Sequence, residues 1–132
     1  MKVDMEAEKA LLREIHAKTR VSNSTNVEEE MSYMYDETFL IPPKGKPIVG
    51  NEAIRTLIDD SMKSSIISMG DPKKGHTDFW MSASCDLAVN RGHFKVTRKE
   101  ARGSVVEEGY YISIYRKMDG KWKLLGEMWN SI

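Results

Sequence analysis

The stretch that most constrains this chain is its end, Val105 to Ile132, where two runs rich in β-branched and aromatic residues flank Asp119-Gly120. Asp-Gly between such runs signals a two-residue hairpin turn, because a type I′ turn needs two residues that tolerate positive φ. Met118 then faces Lys121, and counting outward sets the register. One face carries Tyr111, Ser113, Tyr115, Trp122, Leu124 and Met128; the other carries Tyr110, Ile112, Ile114, Leu125, Glu127 and Trp129. Both faces are largely apolar, unlike a hairpin with one side in water. The sheet is expected to be covered twice.

What precedes it is helical. Val3 to about Val21 reads as a helix with Ala7, Leu11, Leu12, Ile15 and Thr19 on one face. Ser22 to Asn26 is turn chemistry, and Asn26 with Glu29 three residues on predicts a capping box. A short second helix buries Val27, Met31, Met34 and Tyr35 and ends near Asp36. Phe39 to Ile41 reads as a strand stopped by Pro42-Pro43. Gly50-Asn51 opens a third helix to about Ser65, with Ala53, Ile54, Leu57, Ile58 and Met62 facing inward. Beyond a polar loop from Gly70 to Gly75 come strands over about Thr77–Ser84 and Leu87–Arg98, then the hairpin. Helices first and an antiparallel meander after them argue an α+β fold with helices on one face of a curved sheet. At 132 residues the expectation is a single domain, 1–132.

Charge narrows the function classes. Lys+Arg and Asp+Glu are 20 each and cancel, so no field draws the chain to nucleic acid or an anionic membrane. The lone Cys85 excludes an internal disulfide, and no apolar run approaches 20 residues, which fits a cytoplasmic protein. His16, His76 and His93 have no ligand spacing with one another, so no metal is expected. No Gly-rich phosphate loop is present, and no cofactor is implied.

Three strings then carry a resemblance. Pro47-Ile48-Val49-Gly50 with Glu52-Ala53-Ile54 forms a helix start, Cys85 to Gly92 reads as a strand of the "GDLAxxxG" type, and Met118 to Ser131 follows "xDGxWKxxxxxWNS". In this order they resemble the SnoaL-like, ketosteroid-isomerase-like proteins of the nuclear-transport-factor-2-like superfamily, over about Leu11 to Ser131. The resemblance implies a cone-shaped curved antiparallel sheet around three N-terminal helices, a cystatin-like α+β roll with an apolar pocket. It also implies dimerisation through the sheet's outer face. Counting from Gly120, the superfamily's catalytic acid falls on Ile112 and its pocket tryptophan on Trp129. That count makes Tyr110, Ile112, Ile114, Leu125, Glu127 and Trp129 concave, with Ala88 and Asn90 beside them and Gly92 as a bulge. Tyr111, Tyr115, Trp122 and Leu124 would face a partner copy.

Steroid isomerase chemistry does not carry over. Its base would fall at Ile41 or Pro42, its protonated acid at Ile112, and its tyrosine near Lys18 or Thr19. The remaining polar groups are Glu127, suited to acid/base work if enclosed beside Trp129, and Asn90, able to orient a carbonyl or satisfy the backbone. His16 is a further candidate, or merely a helix-flank residue. Asp36 is expected to pin a turn, and Cys85 to be inert. Three readings follow: a pocket protein for a small apolar molecule, an isomerase, cyclase, dehydratase or hydrolase using Glu127, and a homo-oligomeric association module.

Overall fold

The computed structural model describes residues 4–19, 27–63, 65–69 and 78–132. The Ser22–Asn26 turn with its cap, the Gly70–Gly75 loop and His76 lie outside them, as do the side chains of Thr19 and Met62. The elements are α1 (Met5–Thr19), α2 (Val27–Met31), β1 (Met34–Ile41), β2 (Ile48–Val49), α3 (Asn51–Lys63), β3 (Ser65–Met69), β4 (Trp80–Met81), β5 (Leu87–Glu100), β6 (Gly103–Met118) and β7 (Lys121–Trp129). They form one curved, open sheet in the order β2-β1-β7-β6-β5-β3, with β4 on β5. The α+β architecture is as expected. One pairing departs from the antiparallel pattern, since β1 runs parallel to β7. The second helix is also shorter than its periodicity predicts. Met34 and Tyr35 already belong to β1, because a spacing of three or four residues fits a strand entry as well as a helix end.

Local chemistry explains the starts and turns. Asp4 caps α1, its Oδ1 accepting the amides of Glu6 and Ala7 at 3.1 and 3.2 Å. Gly50 takes φ +94° to open α3, a conformation that favours glycine. Asp119 and Gly120 sit at φ 53° and 78°, and Met118 pairs with Lys121, as a type I′ turn requires.

The core joins Leu12, Met31, Ile54 and Ile58 of the helices to Met34, Leu40, Phe79, Ala88, Tyr115, Trp122 and Leu124. This corrects the expected faces. Tyr111, Tyr115, Trp122 and Leu124 are at most 5% exposed and lie on the concave side, under the helices rather than against a partner. Tyr110 and Ile112 are exposed on the convex side, with Ile114 half-buried there. On β6 the count from Gly120 that put Ile112 inside chose the wrong side of the strand, and on β7 a β-bulge adds a second reversal. Register holds from Met118↔Lys121 to Tyr115↔Leu124, then skips Leu125, so that Ile114 meets Gly126. Beyond it Glu127 and Trp129 share the face of Ser113 and Tyr111. Those two are concave as expected, but because of the bulge. Met128, grouped with Tyr111 by straight counting, is turned outward and exposed. Gly126 makes room for Phe39, whose ring would lie 2.2 Å from an added Cβ. Gly92 is not a bulge, for β5 and β6 pair without a shift from Leu87 to Glu100.

The apolar stripe of α1 is also one position off the expected one. Leu12 and His16 are buried and Ile15 half-buried, whereas Leu11 is half-exposed and Ala7 exposed. Polar clasps set this rotation. Glu8 accepts Lys117 Nζ and Trp122 Nε1, both at 2.5 Å, and Arg13 grips Asp78 bidentately at 3.0 and 2.7 Å. The Lys117 hydrogen bond, then that of Trp122, holds Glu8 below its ordinary 4.5, and Arg13 does the same for Asp78 below 3.8. A depressed folded pKa means stability present above the unfolded value and lost as pH falls through the folded one. Glu8→Gln should therefore cost on the order of 1–3 kcal/mol at pH 7. Urea unfolding at pH 7 and pH 3 should show that gap closing at the lower pH; an unchanged gap would remove the clasp from the account. Asp78 is half-exposed and contributes less. Among the described residues no helix is long and apolar enough to cross a membrane.

Candidate functional site: a polar row on the concave face

Strand register places three rows of side chains on the concave face. Ala88, Tyr115 and Leu124 form the first, Asn90, Ser113 and Glu127 the second, Gly92, Tyr111 and Trp129 the third. The middle row is polar and lies between aromatic neighbours. Ser113 is fully buried and Asn90 is 1% exposed, while Glu127 and Trp129 are half-buried. Ser113 Oγ donates to Glu127 Oε2 at 3.1 Å. Asn90 Oδ1 is buried and has no hydrogen-bond partner among the described residues. A buried acceptor left so costs about 1–3 kcal/mol and calls for a reason.

His16 reaches this face from α1. Its Nδ1 is 2.9 Å from Tyr115 Oη and its Nε2 2.8 Å from Tyr111 Oη. A neutral imidazole donates from one nitrogen and accepts at the other, so one phenol must accept and the other donate. These two tyrosines flank Ser113 on β6, and the imidazole therefore bridges across the polar row. Phe79 packs edge-on to His16 and to Tyr115, at 6.0 and 5.6 Å between ring centroids. Gly92 lets the Tyr111 phenol lie over β5, since a Cβ there would meet its hydroxyl at 2.5 Å.

The expected site residues divide accordingly. Asn90, Glu127, Trp129 and His16 come together on the concave face. Tyr110, Ile112 and Ile114 do not, being convex, and Leu125 is the bulge residue itself. Tyr111, Ser113, Tyr115 and Phe79 were missed. The signal for them was Gly126, because a glycine inside a strand often marks a bulge or a close approach. Asp36 is exposed and accepts Asn51 Nδ2 at 2.8 Å, tying β1 to the start of α3. Cys85 is buried in the turn between Ser82 and Asp86. Among the described residues no group of His, Cys, Asp and Glu is arranged to hold a metal.

No protein-family model and no curated protein matches the sequence. Solved structures do match in shape. A ketosteroid isomerase-like protein from Erwinia carotovora atroseptica superposes with a TM-score of 0.77 at 16% identity, over 95% of this chain and 96% of its own. An NTF2-like protein with a cystatin-like fold from Novosphingobium aromaticivorans gives 0.71 at 15% identity, over 96% and 82%. A putative calcium/calmodulin-dependent protein kinase II association domain from Xanthomonas campestris gives 0.67 at 16%, over 99% and 89%. At such identities the likeness is one of fold, and the fold expected from the three strings is the one observed.

Proposed function

We propose that this chain, built on the cystatin-like fold of the nuclear-transport-factor-2-like proteins, binds a small, flat, largely apolar molecule on its concave face through an O–H or N–H donor. The carrying observation is Asn90 Oδ1, a buried acceptor without a partner among the described residues, on a side chain that is almost wholly enclosed. A ligand donor would satisfy it, and Phe79, Tyr111 and Trp129 offer ring faces and edges to an apolar body. The test compares 2-naphthol with naphthalene by quenching of tryptophan fluorescence. Naphthol should bind at least tenfold more tightly, and Asn90→Leu should erase the difference. The variant should fold as stably as the parent or better, because it removes a buried unsatisfied acceptor. Equal binding of both probes, or a preference that survives Asn90→Leu, would contradict the reading.

An acid–base enzyme is the second reading, favoured by the Ser113–Glu127 hydrogen bond and the bridging His16 on the same face. Glu127→Gln would then lower turnover of a true substrate by about 10²- to 10⁴-fold while 2-naphthol binding persists.

For association we propose the convex face as the surface between two copies. Across four strands it carries Phe39 and Ile41, Met128, Ile112 and Ile114, and Val89, with Trp80 of β4 beyond. Tyr110, Ile112, Met128 and Trp80 are exposed there. Ile112→Glu should leave a folded monomer of 15.1 kDa in sedimentation, where the parent sediments as a dimer. A monomeric parent at micromolar concentration would contradict this.

A further inference from the structure

We propose that the ligand of the concave face carries a cyclic amide, a ring N–H beside a ring carbonyl, on its flat body. This rests on the ligand-binding reading above and names the chemical class that fits it. A carboxamide side chain is acceptor and donor at once: Asn90 offers Oδ1 and, beside it, an N–H of Nδ2 directed the same way. Oδ1 is buried without a partner among the described residues, and Nδ2 donates to none of them either. A ligand that brings only a donor satisfies Oδ1 but covers the neighbouring N–H, which is then shut from water with nothing to receive it. One hydroxyl oxygen cannot lie in line with both groups. A ring amide serves both, its N–H meeting Oδ1 while its carbonyl receives Nδ2. This is the two-point match by which an asparagine reads the N6/N7 edge of adenine.

The surroundings agree. Ala88 and Gly92 precede and follow Asn90 on the same face of β5 and carry at most a methyl group, so its own strand does not cover the amide. Rings wall it instead. Over Gly92 lies the Tyr111 phenol, held by His16 Nε2 at 2.8 Å. On the Ala88 side Tyr115 and Phe79 pack edge to face, 5.6 Å between ring centroids. A planar body gains from contact with these rings whatever its polar groups, and the Asn90 amide decides which of its edges points toward β5. Neither hydrogen bond asks for a formal charge on the ligand.

The experiment titrates the whole chain calorimetrically with 2-quinolinone, N-methyl-2-quinolinone and 2-naphthol, which share a pair of fused rings. The first offers donor and acceptor, the second the acceptor alone, the third a hydroxyl. On the parent protein, with no variant needed, 2-quinolinone should bind at least tenfold more tightly than either of the others. Asn90→Asp keeps an oxygen to accept and loses the N–H. It should therefore weaken 2-quinolinone about tenfold and leave 2-naphthol bound at least as tightly as before. Asn90→Leu should weaken both to a common affinity. If 2-quinolinone binds no more tightly than 2-naphthol while both depend on Asn90, the amide proposal is overturned and the ligand reading stands. If no probe responds to Asn90→Leu, both are overturned.

Discussion

Replacing Trp122 by glutamate should unfold this protein rather than split a dimer of it. Read along the sequence, Trp122 belongs to an outer face, where a charge would only separate two copies. In the fold it is 4% exposed, packed with Leu12 and Tyr115 in the core, and its indole N–H donates to Glu8 Oε2 at 2.5 Å. A glutamate there removes a large buried ring, deprives Glu8 of a donor and sets a second carboxylate beside the first. Loss of the ring alone costs about 3–5 kcal/mol, and an uncompensated buried charge adds to it. Against a total stability of about 5–15 kcal/mol, the expected loss exceeds 4 kcal/mol and the fall in melting temperature about 10 °C. Circular dichroism on heating reads it directly. Trp122→Phe keeps most of the ring and should cost far less. A Trp122→Glu protein that stays folded and becomes monomeric would return this residue to the outer face.

Gly92→Ala should disturb the site through one contact. Its Cβ would fall 2.5 Å from the Tyr111 hydroxyl and 2.6 Å from the ring carbon bearing it. That phenol is held by His16 Nε2 at 2.8 Å, so it cannot swing aside without giving up the hydrogen bond. Overpacking of this kind costs about 1–3 kcal/mol. A double-mutant cycle isolates the cause: in the Tyr111→Leu background the ring is gone and Gly92→Ala should cost little. The coupling energy should approach the whole single-mutant cost. An equal cost in both backgrounds would mean that Gly92 serves the backbone of β5 rather than the place of Tyr111.

What was legible in the sequence was local. Asp119-Gly120 announces its own turn, Gly50-Asn51 opens α3 where the residues say, and the three quoted strings carry the fold. The concave face was not legible, because the pattern of β6 does not say which of its two apolar sides the helices cover, and one extra residue at Leu125 reverses the end of β7. A shift of one sends every later side chain to the opposite side. Beside the bulge, Phe39, far away in the chain, fills the space over Gly126. The rotation of α1 was hidden for the same reason. Leu11 and Leu12 are equally apolar, and the choice between them is made by Glu8 and His16. Their partners, Lys117, Trp122, Tyr111 and Tyr115, lie 95 to 114 residues on. Glu127 and Trp129 were placed correctly only because two errors cancelled, the wrong parity for β6 and the missing bulge in β7.

Whether the Asn90–Ser113–Glu127 row receives a ligand can be read from proton–nitrogen correlation spectra during titration with 2-naphthol. The three tryptophans supply internal references, since Trp129 borders the row, Trp122 is buried against Glu8, and Trp80 is exposed on the convex face. The Asn90 side-chain amide and the Trp129 indole N–H should show saturable shifts with one common affinity, while Trp80 stays in place. Movement of Trp80 with Asn90 unperturbed would contradict it, placing the ligand on the outer face and leaving the concave face without one.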